Sequence, residues 1–163
     1  MANSSTVFGV NSTQTRGELA RMLYRMAGKP NVTGLNNPFD AENMSGELLD
    51  AVKWLYNNGT NSIMNGTSSN TFNPSGTVTR EMLAVVLDRY ATIVNIAFDQ
   101  LRTYQAFADD ISISSWAKDS VVNMYRAYII NGGDNNMFNP TSAIQIKDTA
   151  VILRRFEVMY LYL

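Results

Sequence analysis

The sequence predicts an all-α protein assembled from repeats, and two observations carry that prediction. The first is self-similarity. Phe72-Asn73-Pro74 returns as Phe138-Asn139-Pro140, and Ile63-Met64-Asn65-Gly66 returns as Ile129-Ile130-Asn131-Gly132, both 66 residues on. A weaker copy runs from Phe8 to Thr15-Arg16, 64 residues ahead of Phe72 and Thr79-Arg80. A near-constant period fixes architecture before any single residue does. The second observation is that apolar residues recur at helical spacing behind each copy.

Taken in order, the chain reads as one domain over 1–163, with a partial repeat at 1–30 and fuller repeats at 38–104 and 106–163. Residues 1–13 are polar and short of periodic apolar positions, so little regular structure is expected there. Thr15-Arg16-Gly17-Glu18 has the form of a capping box, in which the threonine hydroxyl accepts from the amide three residues on and the glutamate reaches back. Leu19, Met22, Leu23 and Met26 follow on one helical face, and Gly28 and Pro30 stop the helix. Leu48, Leu49, Val52, Leu55 and Tyr56 form a short amphipathic helix ending at Asn58-Gly59. From Thr79 a long helix is expected to about Tyr104, with Leu83, Val86, Leu87, Tyr90, Ile93, Val94, Ala97 and Leu101 on its face. In the last repeat Trp116, Ala117, Val121, Met124 and Tyr128 give the short helix, and the final helix buries Ala150, Leu153, Phe156, Tyr160 and Leu163. The first repeat has no front half: neither a Phe-x-Asp pair nor a short helix precedes Phe8. Either the chain is an excised piece, or a partner domain or second copy completes it.

Composition narrows the function. The chain has 163 residues, enough to bury a core without staples. Thirteen basic and 14 acidic residues give a formal charge of −1, so there is no broad electrostatic footprint for nucleic acid. Histidine and cysteine are both absent, which removes the commonest general base, the commonest metal ligand and any disulfide. No cofactor or metal is expected. Gly133-Asp134-Asn135-Asn136 offers oxygen ligands, but no acid follows at the spacing of a calcium-binding helix–loop–helix. Asp109-Asp110 are neighbours whose side chains splay, and nothing nominates partners for a glycosidase pair. No apolar run is long enough to span a bilayer. Met1 to Thr6 has neither the basic start nor the apolar core of a signal peptide, so export would rest on a targeting segment outside this chain.

One feature of the helix starts points to chemistry. Thr15 and Thr79 are good N-caps, yet the next residues, Arg16 and Arg80, put a cation at the positive end of the macrodipole, against the usual preference by about 0.3–1 kcal/mol. Two explanations stand. Helix-start amides and guanidinium converge on an external anion, flanked by Thr15 and Thr79. Alternatively each arginine makes an internal salt bridge with Asp40, Glu81 or Asp109. Trp54, Tyr56, Trp116 and Tyr125 are each either packing residues or platforms for a sugar face. Phe72 and Phe138 are expected to pin the Asn-Pro turns to the core.

This order of motifs resembles the S-layer homology domain, whose repeat runs Phe-x-Asp, Trp-Ala, Gly-Ile-x-x-Gly, Gly-x-Phe-x-Pro and then Ile-Thr-Arg-Ala-Glu at the head of a long helix. The third repeat supplies Phe107-Ala108-Asp109, Trp116-Ala117, Ile129 to Gly132, Phe138-Asn139-Pro140 and Ile144. The second supplies Phe39, Ile63 to Gly66, Phe72-Asn73-Pro74 and Val78-Thr79-Arg80. The first retains Thr15-Arg16-Gly17-Glu18. The resemblance implies a pseudo-threefold spindle: a central three-helix bundle of long helices, with short helix–loop prongs. It also implies a non-catalytic extracellular module whose inter-prong grooves bind anionic, often pyruvylated, cell-wall polysaccharide and so hold proteins at the cell surface. The signature arginine, expected to meet the ligand carboxylate, carries over to Arg16 and Arg80, and Trp116 is a further candidate ligand contact. The third repeat departs, with Gln145-Ile146-Lys147-Asp148 where the signature belongs, leaving Lys147 as a looser point charge. The second departs too, with Glu47 near the place of the tryptophan. At most two arginine-bearing grooves are then expected. The competing expectation is a degenerate scaffold for protein–protein assembly, forming homo-oligomers, with carbohydrate binding lost.

Overall fold

The computed structural model describes residues 9–38, 40–56, 62–68 and 71–161, with side chains as far as Met159. The repeat markers Phe8 and Phe39, the stop at Asn58-Gly59, and the burial of Tyr160 and Leu163 lie outside the described residues or side chains. Among the described residues five α-helices follow in order: α1 Arg16–Met26, α2 Gly46–Tyr56, α3 Arg80–Ile93, α4 Lys118–Arg126 and α5 Ile146–Leu161. Extended pairing among the described residues is limited to isolated bridges, so the chain is all-α as its periodicity predicts.

Helices α1, α3 and α5 are tied together where they begin. The amide of Gln14 donates to the Ile144 carbonyl at 2.8 Å, Ile144 to Val78 at 2.9 Å, and Val78 back to Gln14 at 2.9 Å, closing a ring. Around it the same bonding occurs three times. The first two amides of α1, Arg16 and Gly17, donate to the carbonyls of Gly76 and Pro74. Those of α3, Arg80 and Glu81, donate to Ser142 and Pro140, and those of α5, Ile146 and Lys147, to Ser12 and Val10. Each repeat's turn thus satisfies orphan amides on its neighbour's helix. The Asn-Pro turns exist to present these carbonyls. In this ring Val78 and Ile144 are buried and apolar, whereas Gln14 is buried with its side-chain oxygen unpartnered among the described residues.

α2 packs on α1 and α4 on α3, in each case on the helix of the preceding repeat. Leu19 and Leu23 of α1, Leu83 and Leu87 of α3, and Leu153 and Phe156 of α5 enter one core. Rings continue across it: Tyr24 meets Trp54 at 6.1 Å, Trp54 meets Tyr90 at 6.1 Å, and Tyr90 meets Phe156 at 5.7 Å. A second cluster fills the last repeat, where Phe107 lies 5.4 Å from Tyr125 and 5.1 Å from Phe138. Phe72 and Phe138 are anchors as expected, 1% and 0% exposed.

Three expectations need correction. The helix from Thr79 ends at Ile93, not near Tyr104. Asn95 takes a left-handed φ of 59°, its amide returns to Thr92 and that of Ile96 to Ala91, a Schellman stop that asparagine serves almost as well as glycine. The chain beyond it crosses to the end of α4, where Leu101 bonds the Arg126 carbonyl and Arg102 that of Tyr125. The same stop, at Tyr128 with φ 59°, leaves Tyr128 outside α4 and 46% exposed. Finally, Ala150 faces solvent; the buried stripe of α5 is Thr149, Ile152, Leu153 and Phe156.

Candidate grooves beside the helix-start arginines

Arg16 and Arg80 occupy matched settings. Arg16 Nε donates to the Phe72 carbonyl at 2.9 Å and Nη2 to the Asn65 carbonyl at 2.6 Å. Arg80 makes the same pair, to Phe138 at 2.7 Å and Asn131 at 3.0 Å. Each guanidinium also stacks on the ring of the phenylalanine it bonds, at 4.7 and 5.3 Å from the centroid. The repeated Ile-x-Asn-Gly and Phe-Asn-Pro motifs therefore build one receptor, and the arginine of the preceding repeat fills it. Sequence spacing could not show that these motifs converge.

The salt bridges weighed for these arginines are not formed. Asp40 instead accepts the amides of Phe72 and Asn73 at 3.0 and 2.8 Å, and Asp109 those of Phe138 and Asn139, both at 2.7 Å. Both asparagines have positive φ, 56° and 54°, so the aspartate holds a strained turn in place. Glu81, buried on α3, accepts from the amide and hydroxyl of Ser114, each at 3.0 Å, and fixes the segment that leads into α4. Neither arginine ion-pairs with a carboxylate among the described residues. Burial pulls the Arg16 pKa below its usual value, opposed by the charge of Asp40; for Arg80 burial acts likewise, opposed by Asp148 and Asp109. Such partly desolvated cations, held by neutral carbonyls, leave positive potential for an anion.

A cleft opens beside each. The first, about 170 Å³, is walled by Arg16, Asn65-Gly66, and Met82, Val86 and Arg89 of α3, with Trp116 opposite. The second, about 200 Å³, is walled by Arg80, Asn131-Gly132, and Asp148, Ile152 and Arg155 of α5. Arg89 and Arg155, which the sequence reading passed over, stand nine residues into their helices, and Arg25 of α1 holds the same register. The signal was the repeat itself: the three lie 64 and 66 residues apart.

The other candidates divide. Trp116 is 55% exposed, whereas Trp54 and Tyr125 are each 8% exposed and pack in the core. The Thr15 hydroxyl accepts the Glu18 amide at 3.2 Å and the Thr15 backbone amide donates to the Glu18 carboxylate at 3.0 Å, completing the capping box. Thr79 caps Met82 at 3.3 Å. The first-turn amides bond the turn carbonyls described above. Lys147 is exposed and bonds Asn11 Oδ1 at 3.1 Å, one position past Ile146, which stands where the arginines do.

Residues 40–81 and 106–144 match the S-layer homology domain. The chain is 29% identical over 152 residues to an amylopullulanase of Thermoanaerobacterium thermosulfurigenes, covering 92% of this chain and 8% of that protein. It is 27% identical over 157 residues to the exoglucanase XynX of Acetivibrio thermocellus, covering 92% of this chain and 13% of that one. The chain thus spans a small fraction of the relatives it matches.

Proposed function

We propose, from the premise that the chain carries S-layer homology repeats at 40–81 and 106–144, that its two arginine-bearing grooves bind the anionic polysaccharide of a cell wall. S-layer homology domains are non-catalytic modules that anchor proteins at the cell surface by binding cell-wall polysaccharide. The finer reading rests on one observation above the rest: Arg16 and Arg80 are desolvated, bonded to carbonyls rather than carboxylates, and each borders an open cleft. A negatively charged sugar substituent supplies the missing counter-charge, and Trp116 offers an apolar face to the ring. Thr15, Thr79 and Lys147 support the scaffold of this reading rather than the contact. The first groove is the stronger, because it holds Trp116 while the second holds Asp148, a like charge to the ligand.

Cosedimentation with purified wall sacculi tests this. Wild type should pellet with the walls, less so as salt is raised. Trp116→Ala, at an exposed site, should weaken retention while leaving the melting temperature unchanged. Wild type that stays in the supernatant at low salt sinks the proposal.

A further inference from the structure

We infer that the direct contact to the ligand's acid group in the first groove is made by Arg89, with Arg16 as the residue that positions the groove wall. This rests on the wall-binding reading above and assigns its chemistry to a different arginine.

The donors of Arg16 are largely committed. Two of its N–H groups hold the Phe72 and Asn65 carbonyls, its plane is stacked on Phe72, and it is 7% exposed. A guanidinium fixed in this way contributes charge but has little freedom to grip a mobile ligand. Arg89 borders the same cleft from α3 and, among the described residues, makes one long bond, 3.5 Å, to the Ser62 carbonyl.

The third copy of this position shows what such an arginine takes. Arg25 stands on α1 where Arg89 stands on α3, and a carboxylate sits on it: Glu47 Oε1 lies 2.7 Å from Arg25 Nε and 2.5 Å from Nη2, with Oε2 2.7 Å from Lys29. Glu47 is in turn the counterpart of Trp116. Leu55 accepts the amides of Ile63 and Met64 as Met124 accepts those of Ile129 and Ile130, and Glu47 and Trp116 each lie eight residues before that carbonyl. Around α1, then, the chain provides the carboxylate itself from the prong. Around α3 the prong presents an indole instead, and the carboxylate must come from outside. The ligand class that fits is a sugar bearing a carboxylate, its acid on Arg89 in the side-on manner of Glu47 on Arg25 and its apolar face on Trp116.

The test uses the full chain and sacculi, native and with carboxyl groups reduced to alcohols. Arg89→Ala and Arg89→Lys should each lose at least tenfold in affinity for native walls with the melting temperature unchanged. Lysine fails because it lacks the fork. Reduced walls should bind wild type and Arg89→Ala equally weakly. Arg89 variants that hold native walls as wild type does, while wild type prefers native to reduced walls, overturn the assignment and leave the wall-binding reading intact. Absence of wild-type binding to native walls overturns that reading instead.

Discussion

Arg16 and Asp40 grip the same residue from opposite sides: the carboxylate of Asp40 takes the Phe72 amide at 3.0 Å, and Arg16 Nε takes the Phe72 carbonyl at 2.9 Å. Asp109 and Arg80 do the same to Phe138. Opposite charges thus cooperate through one residue without touching, and two sequence-distant motifs are joined. Truncating either partner leaves a buried backbone group unpaired, at a cost of about 1–3 kcal/mol. Asp109→Ala should lower stability by that amount in urea denaturation. The double variant with Arg80→Ala should lose less than the sum, because both serve one turn. Additive losses would show that the two act independently.

Gln14 is the odd member of the central ring. Its counterparts are Val78 and Ile144, and its side-chain oxygen is buried without a partner among the described residues. Replacing it with valine removes that desolvated group, so Gln14→Val should raise stability by about 1 kcal/mol. A thermal melt that falls instead would mean the amide's bonds toward Glu18 outweigh the unpaired oxygen.

Asn95 ends α3 in a left-handed conformation that costs an ordinary side chain about 1–2 kcal/mol. Asn95→Gly should therefore be neutral or mildly stabilising, and Asn95→Ala destabilising by about 1 kcal/mol. Equal stability of the two variants would contradict the Schellman assignment.

The Arg25 and Lys29 hydrogen bonds hold the Glu47 carboxyl down from 4.5 to about 2. A folded-state pKa depressed in this way adds stability above the unfolded value, and that stability is lost as pH falls through the folded one. The gap in melting temperature between wild type and Glu47→Gln should be constant above pH 4.5 and close as pH falls toward 2. It should shrink in high salt, the pair being exposed. A gap that widens on acidification would reverse the assignment.

The repeats, the helix class, the Thr15 capping box and the phenylalanine anchors were legible because each is local or periodic. The helix past Ile93 was misread because apolar residues continue in helical register to Leu101 while the stop depends on one asparagine's φ. Ala150 was misplaced by following a stripe one position off the face that Thr149 and Ile152 bury. The arginines' partners were out of reach for a different reason. Glu81, Asp40 and Asp109 all bond backbone amides, which carry no residue identity, so charge matching in the sequence favoured salt bridges that do not form. Trp116, nominated from the sequence, is exposed and borders the first groove, whereas Arg89 and Arg155 belong to no motif and are marked only by their shared register in the repeat.

The most direct measurement follows the two indole N–H signals in a proton–nitrogen spectrum as an acid-bearing wall oligosaccharide is added. The chain has two tryptophans, and Trp54 is packed in the core while Trp116 stands 55% exposed at the mouth of the first groove. Binding there shifts the Trp116 signal in a saturable, salt-sensitive way and leaves Trp54 as the silent control. A Trp116 signal that stays fixed while the oligosaccharide binds elsewhere, or does not bind at all, contradicts the groove as the site.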